Sequence, residues 1–207
     1  MIKYAFFLFF SIASCGQKDG NPINNVEKTN NIKQERVMEK FDNKSILNKK
    51  AVEAEYSADN DSIINQKELA DAYVEQKFIA GSPLKKQKQF DKKTLNITNE
   101  GNFFYGVAVG VHKAYDTHGK LLAEDDLDAK YPVSVTEVVS KIKKLYKVDM
   151  NTTVPGLFFD RYLNDNNKPE YYIHYPVKEN STEVRAIVID GDTGKVLSDK
   201  IDYLSEE

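Results

Sequence analysis

The residue with the clearest chemical assignment is Cys15, the one cysteine in a chain of 207 residues. A lone thiol cannot form an intramolecular disulfide, so its presence needs another explanation. It follows a positive start, Met1–Lys3, an almost unbroken apolar run, Tyr4–Phe10, and the small residues Ala13 and Ser14. About a dozen apolar residues are too few to span a ~30 Å hydrocarbon core, so this segment predicts an export signal and not a transmembrane helix.

The residues before Cys15 also carry a family resemblance. Ile12-Ala13-Ser14-Cys15 resembles the lipobox of bacterial lipoproteins, in which an aliphatic and two small residues precede the cysteine. The resemblance implies that residues 1–14 are a cleaved lipoprotein signal peptide, that Cys15 is diacylated on sulfur, and that its new amino group is usually acylated too. The alternative is an uncleaved anchor with an incidental thiol.

The residues after Cys15 bear on localisation. Gly16-Gln17-Lys18-Asp19 is similar to the surface-export signal of Bacteroidota lipoproteins, although Gly20 stands where a second acidic residue is usual. The two resemblances together imply an outer-membrane lipoprotein. They leave open whether the domain is displayed on the periplasmic face or at the cell surface.

Motifs for catalysis or metal binding are weaker. The sequence contains no Gly-x-Ser-x-Gly and no His-Glu-x-x-His. Asp190–Gly194 has the composition of a calcium loop, but Ile201 occupies the twelfth position, where an EF-hand has glutamate. The acidic stretch Glu124–Asp128 is more simply a solvated loop, and His112 and His118 lack the spacing of a zinc site. We predict no enzyme activity, no catalytic residue, no metal site and no cofactor.

Composition argues against one broad class of partner. The chain has a formal charge of −3 and a pI near 5.7, without the clustered Lys and Arg of nucleic-acid-binding proteins. One basic stretch, Leu84–Lys93, is predicted to be a solvated loop, with contact to an anionic surface as the alternative. The expected partners are therefore the membrane, through acylated Cys15, and a protein or peptide. The oligomeric state is left open.

Four tyrosines are candidates for that protein contact. Successive side chains of a strand point to opposite faces, so one set of these tyrosines belongs to the core and the other faces solvent. Exposed aromatic patches are typical of protein contact surfaces, and we expect the exposed set to be the contact. The neighbouring Asp160 and Arg161 are interpreted as a salt bridge in preference to a binding contact. The four candidates are Tyr162, Tyr171, Tyr172 and Tyr175.

The organisation along the chain follows from shifts in composition. Beyond Cys15 the sequence is polar and rich in Asn and Lys, with no sustained period, which predicts a disordered tether. The remaining length allows one domain or two small ones. The predicted segments are a signal peptide (1–14), a disordered tether (15–40), an N-terminal α+β module (41–130) and a second α+β module (131–207).

Patterns in the N-terminal module are mixed. Asn65 and Glu68 have the spacing of a capping box and predict a helix, which Gly81-Ser82-Pro83 ends. The alternation from Phe103 to Tyr115 predicts a strand. The turn residues Asp116–Lys120 predict that the chain then reverses into a second strand.

The C-terminal module has the clearest pattern. Ser134 and Glu137 form a capping box, and apolar residues at helical spacing follow from Val135 to Tyr146. Short connections of turn residues then predict an antiparallel meander beneath the apolar stripe of the helix. The predicted strands are Leu157–Leu163, Glu170–Val177, Val184–Ile189 and Lys195–Asp199. The predicted fold class is therefore α+β, a helix packed on an antiparallel sheet, arranged as one unit or as two tandem modules.

Local similarity between the halves suggests further resemblances. Gly119–Leu122 aligns with Gly194–Leu197, which favours either a duplication or a common way to end a hairpin turn. Tyr131–Glu137 and Ala186–Leu197 resemble a PepSY-like domain, a small α+β unit, and the resemblance implies peptidase inhibition or ligand binding. Lys113–Leu122 resembles one hairpin of MORN-like repeat proteins. Neither family has a catalytic residue common to all its members, so neither resemblance assigns a catalytic residue to this chain.

The function expected from these patterns is a lipid-anchored envelope protein that acts as a non-enzymatic binding or inhibitory module. The MORN-like hairpin suggests an alternative, an immunity-type lipoprotein that neutralises a toxin. An envelope hydrolase is a third interpretation, but the sequence offers no nucleophile or metal site to support it.

Overall fold

The first half of the chain forms a long antiparallel sheet. The computed structural model describes residues 39–42, 46, 53–57, 62–178 and 182–203. Seven strands pair in chain order as a meander, which we call the N-terminal sheet. These strands are β1 (Glu53–Ser57), β2 (Ser62–Glu68), β3 (Ala72–Ile79), β4 (Leu84–Asp91), β5 (Ile97–Phe104), β6 (Val107–Tyr115) and β7 (Leu121–Asp126).

The second half forms a smaller sheet beside one helix. Its four strands also pair antiparallel, in the order β11-β10-β9-β8, and we call them the C-terminal sheet. Within the described residues no helix combines the length and apolar character needed to cross a bilayer. The elements are α1 (Val135–Tyr146), β8 (Phe158–Leu163), β9 (Pro169–Pro176), β10 (Glu183–Asp190) and β11 (Val196–Tyr203).

The predicted α+β fold class is wrong, because the described residues are 55% strand and 9% helix. The helix predicted to begin at Asn65 and to end before Gly81 is instead most of β2, a turn and β3, in which Asn65 and Gln76 are register partners. The spacing of Asn65 and Glu68 therefore has no capping role. The arrangement as two tandem helix-on-sheet modules is wrong as well, since β1–β7 form one continuous sheet that includes the predicted helical segment.

The predicted basic loop at 84–93 is also a strand over most of its length, β4. Two of its three lysines are matched by carboxylates from neighbouring segments: Lys86 Nζ lies 3.4 Å from Glu100 Oε2, and Lys88 pairs with Glu39. Cross-strand pairs of opposite charge stabilise a sheet by up to about 1 kcal/mol each. The high Lys content therefore reflects paired charges on a sheet and not a solvated loop.

Helix α1 confirms the prediction made for its segment. Ser134 is the N-cap, with extended backbone, and its hydroxyl accepts a hydrogen bond from Glu137 N at 3.3 Å. The Glu137 carboxylate accepts one from Ser134 N at 2.8 Å, which completes the capping box. Lys147 ends the helix in the left-handed conformation, at φ 63°. The apolar stripe, Val138, Val139 and Ile142, is buried.

Two separate hydrophobic clusters stabilise the molecule. The larger lies between α1 and the C-terminal sheet and also takes in Phe104 and Val109 from the N-terminal sheet. The rings of Phe104 and Phe159 meet edge to face, 5.1 Å between centroids, so this cluster joins the two sheets. The smaller cluster lies over the N-terminal sheet, where Phe41 stacks on Tyr73 with centroids 4.6 Å apart.

A row of alternating charge crosses the N-terminal sheet. Glu75, Lys88, Glu100, Lys113 and Glu124 are successive register partners on β3 to β7. Lys113 Nζ lies 3.2 Å from Glu124 Oε2. Partial burial opposes ionisation of Glu100, but hydrogen bonding from Tyr115 and the charge of Lys86 prevail and lower its pKa. We call these five residues the charge row.

Candidate protein-binding face

The C-terminal sheet has two chemically different faces. Tyr171, Ile173 and Tyr175 alternate along β9 and are buried in the cluster that includes α1. The residues between them, Tyr172 and His174, point to the opposite side because side chains of a strand alternate. We call this opposite side the outer face.

Aromatic rings are grouped on the outer face where β8 pairs with β9. Phe158 is the register partner of His174, and the two rings stack with centroids 5.1 Å apart and planes 20° apart. Tyr172 meets both rings edge to face, at 6.1 Å from Phe158 and 5.7 Å from His174. Phe158 is 45% exposed, so the group is open to solvent. We call Phe158, Tyr172 and His174 the aromatic cluster.

Polar groups border the aromatic cluster. Tyr162, 37% exposed, donates a hydrogen bond from its hydroxyl to Glu170 Oε2 at 2.8 Å. Asn164 donates to the other carboxylate oxygen at 2.7 Å, so Glu170 is held in place from two sides. Asp160 is the register partner of Tyr172 and adds a second carboxylate to this face. The outer face thus has an apolar centre and an acidic rim, which we define as Asp160 and Glu170.

The titration behaviour of this face keeps its centre uncharged. Partial burial lowers the pKa of His174 from its ordinary value, so its imidazole is neutral at neutral pH. Burial, reinforced by the hydrogen bond to the Glu170 carboxylate, raises the pKa of Tyr162 to about 12. The surface therefore presents neutral rings next to fixed negative charge.

Two of the four predicted contact tyrosines lie elsewhere. Tyr171 is fully buried, and its hydroxyl donates a hydrogen bond to the Val133 carbonyl. Burial raises the pKa of Tyr171 to about 12. Tyr175 is also buried in the same cluster. As a correction, Tyr171 and Tyr175 are core residues, and only Tyr162 and Tyr172 lie on the outer face.

Sequence reasoning missed Phe158 and His174. The alternation of side chains along β8 indicates that Phe158, Asp160 and Tyr162 point to the same face of the sheet. Whether these residues contact Tyr172 and His174 depends on how β8 is aligned with β9, and that alignment is set by contacts between the two strands. A pattern within one strand does not specify that register.

Arg161 makes a contact that differs from the predicted one. Asp160 and Arg161 are neighbours in a strand and point to opposite faces, so they do not form the expected ion pair. The Arg161 guanidinium pairs instead with the Asp128 carboxylate and donates to the Ala108 carbonyl at 2.7 Å. It also lies 4.6 Å from the centre of the Tyr131 ring. Arg161 therefore links β8 to the N-terminal sheet.

The acidic and histidine motifs have structural roles. The Asp190 carboxylate accepts hydrogen bonds from Asp192 N and Thr193 N, as expected of a tight turn. Asp126 accepts one from Asp128 N in the turn after β7. The ring of His112 covers Gly101, where a Cβ would collide with it. Across the described residues, no group of three His, Cys, Asp or Glu side chains is placed to hold a metal ion.

The surface also has a groove of about 560 Å³ between the two halves of the described chain. Its apolar lining comes from Phe104 and Val109 on the N-terminal sheet and from Val135 and Val139 on α1. Among its described lining residues, Asp128 alone is ionisable, and it is already paired with Arg161.

The predicted anchor and tether fall largely outside the described residues. This applies to Cys15, to the signal peptide at 1–14 and to most of the segment 15–40. The last two residues of that segment, Glu39 and Lys40, are described, and Lys40 forms a β-bridge with Asn96.

No protein-family model, curated protein or solved structure matches this chain. The outer face, with its aromatic cluster and acidic rim, is the candidate functional site of the described residues.

Proposed function

We propose that this chain is a lipid-anchored envelope protein, held at the outer membrane through acylated Cys15, which binds a protein or peptide without catalysing a reaction. The observation that carries the proposal is the aromatic cluster on the outer face. The core on the other side of the sheet is already filled by Tyr171 and Tyr175, so packing does not require a second set of rings. Aromatic side chains supply much of the binding energy at protein interfaces.

The geometry of the outer face favours association. Phe158 and His174 sit on paired strands and are stacked before any partner arrives, so little side-chain entropy is lost on binding. The acidic rim favours a partner that carries Lys or Arg side chains next to its own apolar contact surface, because the opposite charges attract. Inhibition of a peptidase is the form of binding that the PepSY-like resemblance implies.

Photocrosslinking in intact cells tests this surface. We expect benzoylphenylalanine in place of Phe158 to form a covalent adduct with one protein partner of defined mass, because this ring is part of the aromatic cluster and is exposed on the outer face. A second substitution, Tyr172→Ser, should reduce adduct formation by about tenfold, since loss of an aromatic contact at an interface costs on the order of 1–2 kcal/mol. The measurement is the adduct yield on a denaturing gel, followed by mass spectrometry.

The matched control is the same photoreactive residue at Leu145, which is 53% exposed on α1. Equal adduct yields at 145 and 158 would contradict the proposal, as would an adduct at 158 that contains only a second copy of this chain. Identification of the adduct as a peptidase or as a toxin would distinguish an inhibitor from an immunity protein.

The anchor has its own test. Cys15→Ala should leave the domain folded and move the protein from the membrane to the soluble fraction, because the acyl chains are lost. The wild-type chain extracted in detergent should lack residues 1–14 and carry the mass of its acyl groups. Retention of the variant in membranes after an alkaline wash would show that the anchor assignment is wrong.

A further inference from the structure

The outer edge of the C-terminal sheet has the properties of a surface that pairs with another strand. β11 pairs with β10 along one side and is one of the two terminal strands of this sheet, β8 being the other. Among the described residues no strand pairs with the other side of β11, which is eight residues long. Such an edge is a template for strand addition. Ile201 and Tyr203 on this strand are both exposed.

Of the two terminal strands of the N-terminal sheet, β1 and β7, the second is protected against the same event. β7 carries Glu124, Asp125 and Asp126 in succession, so two copies of this strand would repel each other. β11 instead carries Lys200 and Asp202, two residues apart and on the same face. When two copies of β11 run antiparallel, Lys200 of each copy can form an ion pair with Asp202 of the other.

The charges select one register. Antiparallel pairing about a twofold axis keeps each face on its own side, so even-numbered residues meet even-numbered ones. Centring the axis on Lys200 or on Asp202 would place identical charges opposite each other. Centring it on Ile201 brings Lys200 of each copy opposite Asp202 of the other and makes two ion pairs across the axis.

The remaining charge on the strand does not disturb this register. Asp199 lies on the other face and is bound by Arg185, whose Nε donates to Asp199 Oδ1 at 2.7 Å. In the register centred on Ile201 it meets Tyr203 of the second copy, so no like charges are opposed. The sequence Lys200-Ile201-Asp202 is therefore self-complementary, and a second copy of this chain is the partner that fits this edge.

We propose that two copies of this protein associate through antiparallel pairing of β11 with β11, with Ile201 at the twofold axis. The two C-terminal sheets then form one continuous sheet whose two outer faces lie on the same side. The proposal is independent of what the outer face binds. Each dimer would present two aromatic clusters, so a partner that contacts both clusters would bind with higher avidity than one that contacts a single cluster.

Disulfide trapping of the full-length protein in membranes tests the register. Opposed residues of antiparallel strands have Cα atoms about 4.5–5.5 Å apart, which is within the range of a disulfide. Under mild oxidation, Ile201→Cys should give a band at twice the mass of the chain. The control, Leu197→Cys, is on the same strand and also exposed, but in this register the two positions are roughly 27 Å apart and should not crosslink. The wild-type chain, with Cys15 alone, is the background.

Charge exchange tests the ion pairs. In the Ile201→Cys background, Lys200→Glu should lower the crosslinked fraction by about fivefold or more, because both ion pairs become repulsions. Adding Asp202→Lys should restore it, since the swapped charges again match. Equal crosslinking at 197 and 201, or crosslinking that is indifferent to Lys200→Glu, would overturn the proposal.

A second measurement needs no substitution. Carbodiimide joins a lysine directly to a carboxylate that it contacts, so a mixture of isotopically light and heavy chains should give a mixed-label peptide that links Lys200 to Asp202. Absence of this mixed peptide, in protein that yields other lysine–carboxylate crosslinks, would also overturn the proposal.

Discussion

Val139→Asp will unfold α1 and the C-terminal sheet. The Val139 side chain is 4% exposed and packs on the inner side of α1 with Val138, Ile142 and Phe159. An aspartate there would be an unpaired carboxylate among apolar side chains, which costs several kcal/mol whether it stays ionised or takes up a proton. The expected loss is about 4–5 kcal/mol, comparable with the whole free energy of unfolding of a small domain. Thermal and urea unfolding followed by circular dichroism measure it.

The same helix supplies the control for this experiment. Leu145 is 53% exposed, so Leu145→Asp introduces the same charge into the same helix without burying it. Its midpoint of unfolding should stay within a few degrees of the wild-type value. If Val139→Asp melted like Leu145→Asp, the stripe of α1 would not be buried against the sheet.

Asp128→Asn is expected to have the next largest effect. The Arg161 side chain is 4% exposed and its carboxylate partner is 41% exposed, so the substitution leaves a buried guanidinium without its counter-charge. We expect a loss of about 2–3 kcal/mol, below the full cost of breaking a buried ion pair because water reaches Asp128. The double variant with Arg161→Met should be more stable than Asp128→Asn alone, because the unpaired charge is then gone.

An exposed ion pair provides the comparison. Glu124→Gln removes the partner of Lys113, at a site where the glutamate side chain is 50% exposed, and should not measurably shift the midpoint of unfolding. Additive effects of Asp128→Asn and Arg161→Met, or a change for Asp128→Asn no larger than for Glu124→Gln, would mean that Arg161 does not link the two sheets energetically.

Much of the C-terminal half could be predicted from its sequence because its signals are local. The capping box at Ser134 and the apolar period after it specify α1 without reference to distant residues. The turn at Asp190 is equally local, since its carboxylate bonds backbone N–H groups two and three residues ahead. Asp116 makes the same kind of turn, which explains why the two hairpins look alike.

The N-terminal sheet could not be predicted in the same way because its stabilising contacts are between strands. Gln66 is fully buried, and its side-chain amide donates to Glu75 at 2.8 Å and to the Asp42 carbonyl, contacts that no local pattern reveals. Lys86 and Lys88 look like loop residues until their carboxylate partners are known. A sheet stabilised partly by paired charge lacks the apolar alternation from which strands are inferred.

The candidate site was predicted in part. The sequence places tyrosines on both faces of β9, but which face carries α1 depends on how the helix packs, and that decides between Tyr171 and Tyr172. The contact by the outer-face pair, Tyr162 and Tyr172, stays a prediction. Lipidation of Cys15 also stays a prediction, and it is the most directly measurable one.

The charge row has a consequence for how the N-terminal sheet reaches its native pairing. A meander with many polar residues on its strands can slip in register during folding with little loss of apolar contact. Slippage of β4 against β5 by two residues, the smallest step that preserves the faces, would in one direction set Glu100 against Phe90 in place of Lys88. The loss of the Lys88–Glu100 pairing penalises a step in that direction, so the charge row discriminates against this misalignment, and high ionic strength should reduce refolding yield more than it reduces native stability.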